Sequence, residues 1–146
     1  MAMKKIILLL LLFSGSLFSV VAAQGDKAKT PEPREFEMKD GDTTYNMRRY
    51  VMVMLYRGKK ANKIPKDQLD KIQEGHMANI SKLAADGKLL VAGPMGDDTD
   101  LRGIFILDCE SVEEAKTLVD TDPAVVAGRL RAEYHSWWTA RGTVIK

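Results

Sequence analysis

The chain has 146 residues, with 22 Lys and Arg against 20 Asp and Glu, and a single cysteine, Cys109. No basic tract is interleaved with aromatics, which argues against nucleic acid as a partner. One cysteine forms no internal disulfide, so stability must come from packing and from association between chains.

Lys4 and Lys5 precede an apolar run from Ile6 to Val20, followed by Val21-Ala22-Ala23 ahead of Gln24. This order reads as a secretory signal peptide, residues 1–23, cleaved before Gln24. The apolar run is diluted by Ser14, Gly15, Ser16 and Ser19 and is shorter than the ~20 residues of a spanning helix. An exported protein, periplasmic or secreted and without a stable membrane anchor, is therefore expected. Lys4 and Lys5 are the only charges in the leader, and removing them leaves 20 basic and 20 acidic side chains.

Residues 24–47 form a polar stretch in which Pro31 and Pro33 alternate with charges and bury too little to offset ordering. It reads as a tether. Phe36, Met38 and Tyr45 around Lys39-Asp40-Gly41-Asp42 suggest a short hairpin within it.

Residues 48–142 carry the expected domain. Arg49 to Tyr56 is a dense apolar and aromatic run, predicting a strand. Pro65 to Asp86 predicts a helix, with Pro65 in its first turn and Gly87 as its stop. Lys88 to Gly93 and Arg102 to Asp108 predict strands around a Gly- and Asp-rich loop. Ser111 to Val119 predicts a second helix, opened by Ser111 and Glu114 as a capping box. Leu130 to Trp138 completes a βαββαβ order, the ferredoxin-like α+β fold with a four-stranded antiparallel sheet.

Tyr50 to Tyr56 and Ile104 to Leu107 are apolar on both faces. Both crossover helices belong on one face, so the other needs a cover. A second copy of the sheet is the simplest one, which predicts a homodimer.

Within the first predicted helix, Leu69, Ile72, Ile80 and Leu83 line one face at three-and-four spacing, and His76 falls on that stripe. An imidazole turned inward must find a hydrogen-bond partner. It is either a satisfied core histidine or a catalytic one.

The ordered words Glu74-Gly75-His76, Gly87-Lys88-Leu89, Ala92-Gly93-Pro94, Arg102-Gly103-Ile104-Phe105, Asp122-Pro123-Ala124 and His135-Ser136-Trp137-Trp138 closely resemble the YCII-related family. The resemblance implies a ferredoxin-like fold that pairs into a dimeric α+β barrel. It also implies an active-site histidine and aspartate, which fall at His76 and Asp122, and a relative that is a chlorinated-hydroquinone dehydrochlorinase. Many members have a phenylalanine after Asp-Pro; Ala124 stands there in this chain, implying a smaller cavity wall.

A neutral imidazole near a carboxylate is a competent proton acceptor. Elimination or isomerisation after proton abstraction from a small organic molecule needs no metal and no organic cofactor. Asp122 before Pro123 is also an ordinary turn or cap residue. Arg102 and Arg129 flank strand ends and are candidates for an anionic substrate group. His135, beside Trp137 and Trp138, raises haem ligation, but one histidine without a supporting motif points instead to an aromatic cluster closing the barrel, with His135 as a further substrate contact. Asp97, Asp98 and Asp100 lack EF-hand spacing, so no metal is expected there. Cys109 lies in no charged cluster and reads as inert. Two functions follow: a small acid-base enzyme, or a non-catalytic domain that binds a small ligand or another protein.

Overall fold

The computed structural model describes residues 33–144. The expected signal peptide and the first part of the tether lie outside them. In chain order the elements are strands β1 (Glu35–Asp40) and β2 (Thr43–Arg57), helix α1 (Lys66–Ala85), strands β3 (Leu89–Pro94) and β4 (Leu101–Leu107), helices α2 (Val112–Val119) and α3 (Pro123–Val126), and strand β5 (Leu130–Ala140).

The domain is α+β, and its sheet is antiparallel throughout. β5, β2, β4 and β3 lie side by side in that order, the ferredoxin-like arrangement. The expected four strands are five among the described residues. The polar stretch forms a hairpin from Glu35 onward, with Gly41 at φ 57° in the turn, and β2 therefore starts at Thr43 rather than Arg49. Met47 and Arg48 pair with β1 and β5 at once, so those strands flank β2 on opposite sides. Arg34, just before β1, reaches Asp108 and Glu110, while Arg48 holds both oxygens of Asp108 at 2.9 Å. Burial pushes the Asp108 carboxyl up, but the Arg48 and Arg34 guanidinium groups outweigh it and hold it below the usual carboxylate range. This ion cluster fastens the hairpin to the end of β4.

Period-two alternation sends Val51, Val53 and Leu55 of β2 to the helix-covered face with Phe105 and Leu107 of β4. Leu83 of α1 and Ala115 and Val119 of α2 close over them. Leu83 is the one α1 residue that is fully buried, so the rest of the helix's apolar stripe borders open space. The opposite face carries Tyr50, Met52, Met54 and Tyr56, paired with Ile106 and Ile104 of β4 and with Trp137 and His135 of β5.

Pro65 caps α1 rather than entering its first turn, and Gly87, at φ 70°, ends it. Ser111 Oγ accepts the Glu114 N–H at 3.1 Å, but Glu114 reaches back to the N–H of Glu110 at 2.8 Å. The expected capping box is thus displaced by one residue in its second half.

Leu83→Ala is expected to lower unfolding stability by about 3 kcal/mol, because α1 has no other fully buried anchor and a cavity would remain. Urea denaturation monitored by circular dichroism measures it.

Candidate active site

His76 lies mid-way along α1, and Asp122 lies immediately before α3. Helical spacing puts Asn79 on the same face as His76. Asp122 takes up an extended backbone at the α3 cap, where its Oδ1 accepts the Ala124 N–H at 2.8 Å. The cap places the carboxylate against α1. His76 Nδ1 then lies 2.9 Å from both carboxylate oxygens, and Asn79 Nδ2 donates to Oδ2 at 2.9 Å. Asp122 is therefore both the turn residue and the histidine's partner, two roles that looked exclusive in the sequence.

The approach of α3 to α1 depends on Gly75. A Cβ at that position would stand 2.8 Å from Pro123 Cγ, closer than atoms tolerate. Glycine is unfavourable inside a helix by about 1 kcal/mol relative to alanine, and here it admits the proline ring.

Asp122 has 0% of its surface exposed. Burial pushes its carboxyl up, yet the hydrogen bonds from His76, Asn79 and the Ala124 amide hold it below the usual carboxylate range. An ionised carboxylate only accepts, so His76 Nδ1 carries the proton and Nε2 is the nitrogen left for a ligand. The ring stacks near Phe105, with centroids 6.0 Å apart and planes at 19°.

Beside His76 is a cavity of about 590 Å³. Leu69, Gln73, Met77 and Ile80 of α1 form one wall, and Ala92, Gly93, Gly103 and Phe105 of β3 and β4 form the floor. Ala124 lines it as well, in the place where the family resemblance leads one to expect an aromatic ring. Arg57, Arg102 and Arg129 also line it. Arg102 and Arg129, the two arginines singled out from sequence, thus share the cavity with His76. His135 does not: it pairs with Met52 on the helix-free face, because β5 alternates and sends Leu130, Ala132 and Tyr134 inward instead. Arg57 and Asn79 were not singled out from sequence; Asn79 had a signal in its three-residue spacing from His76, whereas Arg57 had none. Cys109 is buried, and burial pushes its thiol up to about 11, which leaves it protonated.

The YCII-related domain pattern matches residues 49–137, more than half of the chain. The chain belongs to the YCII-related family. This YCII-related chain is 31% identical over 86 residues to protein YciI of Escherichia coli O6:H1, covering 53% of this chain and 86% of that protein. It is 30% identical over 63 residues to YjpA of Bacillus subtilis strain 168, covering 43% and 72%. Among solved structures it is similar to a 5-chloro-2-hydroxyhydroquinone dehydrochlorinase from Burkholderia phenoliruptrix AC1100, in complex with 2,5-dihydroxybenzoquinone. The identity is 25% and the TM-score 0.44, covering 61% of this chain and 92% of that one.

The depressed Asp122 pKa makes its contribution to stability complete above its ordinary value of 3.8 and lost as pH falls through the lower folded-state value. Asp122→Asn keeps a capping side chain but removes the charge. It is expected to be about 2 kcal/mol less stable than wild type at neutral pH, with the gap closing progressively below about pH 4. Urea denaturation across that range decides it; a gap that persists unchanged in acid contradicts the assignment.

Proposed function

We propose that this protein is a small cofactor-independent acid-base enzyme acting on a small organic substrate, with His76 as the base and Asp122 as its partner. The observation that carries the reading is a buried, ionised carboxylate fixing the tautomer of an imidazole that borders a cavity. His76 Nε2 takes a proton from a carbon next to a carbonyl or phenolic group, and Asp122 stabilises the imidazolium that forms. The electrons left on the substrate move toward its oxygen, where Arg102 or Arg129 balances the charge. Loss of a leaving group from the adjacent carbon completes an elimination; return of the proton to a different carbon completes an isomerisation.

The same proposal includes export and pairing. Residues 1–23 direct the chain out of the cytoplasm and are removed, leaving no membrane anchor. A second copy covers the helix-free face of the sheet through Tyr50, Met52, Met54 and Tyr56, giving a homodimer. Among the described residues, no helix is long and apolar enough to cross a membrane.

The reading is tested by proton NMR in D₂O on a panel of small ketones, oxo acids and halogenated hydroquinones. Solvent deuterium should enter, or halide should leave, at a rate that falls roughly 10²–10⁴-fold in His76→Gln. The glutamine retains a donor for Asp122. Equal rates for wild type and His76→Gln across the panel, with ligands still binding, would leave the protein a non-catalytic binding domain.

A further inference from the structure

Three arginines converge at one end of the sheet. Arg57 ends β2, Arg102 is the second residue of β4, and Arg129 precedes β5, whose Leu130 pairs with Arg57. All three line the cavity that His76 borders. Two of them share a single acceptor: Arg57 Nη2 donates to Asp98 Oδ1 at 3.0 Å, and Arg102 Nη1 to the same oxygen at 2.7 Å. Asp100 stands 3.7 Å from Arg57 Nε as a weaker partner. The third is paired differently. Arg129 donates to the neutral Gln73 Oε1 at 2.8 Å, and no carboxylate among the described residues lies within ion-pair distance of it.

Asp98 belongs to the loop between β3 and β4, and its side chain is 87% exposed. The guanidinium hydrogen bonds of Arg102 and Arg57 hold its carboxyl below the usual range, so it is an anion at neutral pH. An ion pair that wet is weak, because water and salt screen it. A carboxylate brought in on an apolar ring is a stronger partner for the same guanidinium groups. The half-buried Leu69, Ile80 and Leu130 of the lining still offer apolar surface for such a ring to cover, which would also shield the charge pair from water.

We propose that the cavity selects organic anions, with Arg129 as the waiting cation and Asp98 as a resident carboxylate that the ligand displaces from Arg57 and Arg102. Asp98 thereby sets specificity. A neutral molecule of the same shape has nothing with which to replace it and leaves the loop closed on the arginines. This rests on the cavity being the ligand site of the proposed enzyme, and it adds the charge of the substrate and the residue that enforces it.

The test is calorimetric titration of the full chain with a panel of ring carboxylates headed by benzoate, each matched with its amide. Carboxylates should bind at least about tenfold more tightly than amides. Asp98→Asn should tighten carboxylate binding about three- to tenfold and leave the amides unchanged. Asp97→Asn removes the same charge from the same loop but touches Thr99 rather than an arginine, and should change neither. Arg129→Gln should weaken the carboxylates alone. Equal affinity for acids and amides, or equal effects of the two aspartate variants, overturns the proposal. So does failure of every carboxylate to shift the Arg57 and Arg102 Nε–H signals in NMR. His76→Gln separates the two readings: binding and displacement that persist without turnover in any form sink the acid-base enzyme alone. Turnover of neutral substrates with Asp98 still in place sinks the displacement alone.

Discussion

A carboxylate removed from water must be met by donors or by protons, since an unpaired buried charge costs several kcal/mol. Asp122 is met by donors from two elements: its own cap amide at Ala124, and His76 and Asn79 on α1. This interaction ties a four-residue helix to a twenty-residue one, and the rest of the site is arranged around the tie. Gly75 allows the contact distance, Pro123 fills the space that glycine leaves, and Phe105 supports the imidazole from the sheet. Because the carboxylate stays charged, the imidazole's protonated nitrogen is committed to it and the other nitrogen is not.

Much of the architecture was legible because it rests on periodicity. The apolar run at residues 50–56 and the stripe on α1 required a sheet with helices on one face, and the βαββαβ order follows from the succession of apolar runs and helical segments along the chain. The hairpin itself was legible from its turn residues, but not how it joins the sheet: its second strand runs on without a break into β2. Phe36, Met38 and Tyr45 remain exposed, and the hairpin's attachment comes from Arg34 and Arg48 meeting Asp108, a contact between distant positions that no local pattern encodes. α3 was missed for a related reason: four residues are too few for a period.

The site divides in the same way. His76 stood out because it interrupts an apolar stripe, and Asp122 because the family resemblance marks it; residue pattern alone favoured a turn. His135 illustrates the opposite error. It was read as a further substrate contact, but one step along a strand reverses the face, and the sheet separates it from the cavity while leaving it beside Trp137. Arg57 was invisible as a site residue because its significance depends on two other strand ends reaching the same place.

Ala124 donates its backbone amide to Asp122 while its side chain lines the cavity wall. The amide is common to every residue except proline, so the group that holds the carboxylate does not depend on which side chain occupies the position. The volume projecting into the cavity depends on nothing else. The hold on Asp122 and the shape of the cavity wall are thus written into different atoms of one residue, and a single exchange at position 124 can reshape the pocket without disturbing the contact between Asp122 and His76. The fold supplies a dial for pocket shape that turns independently of the pair.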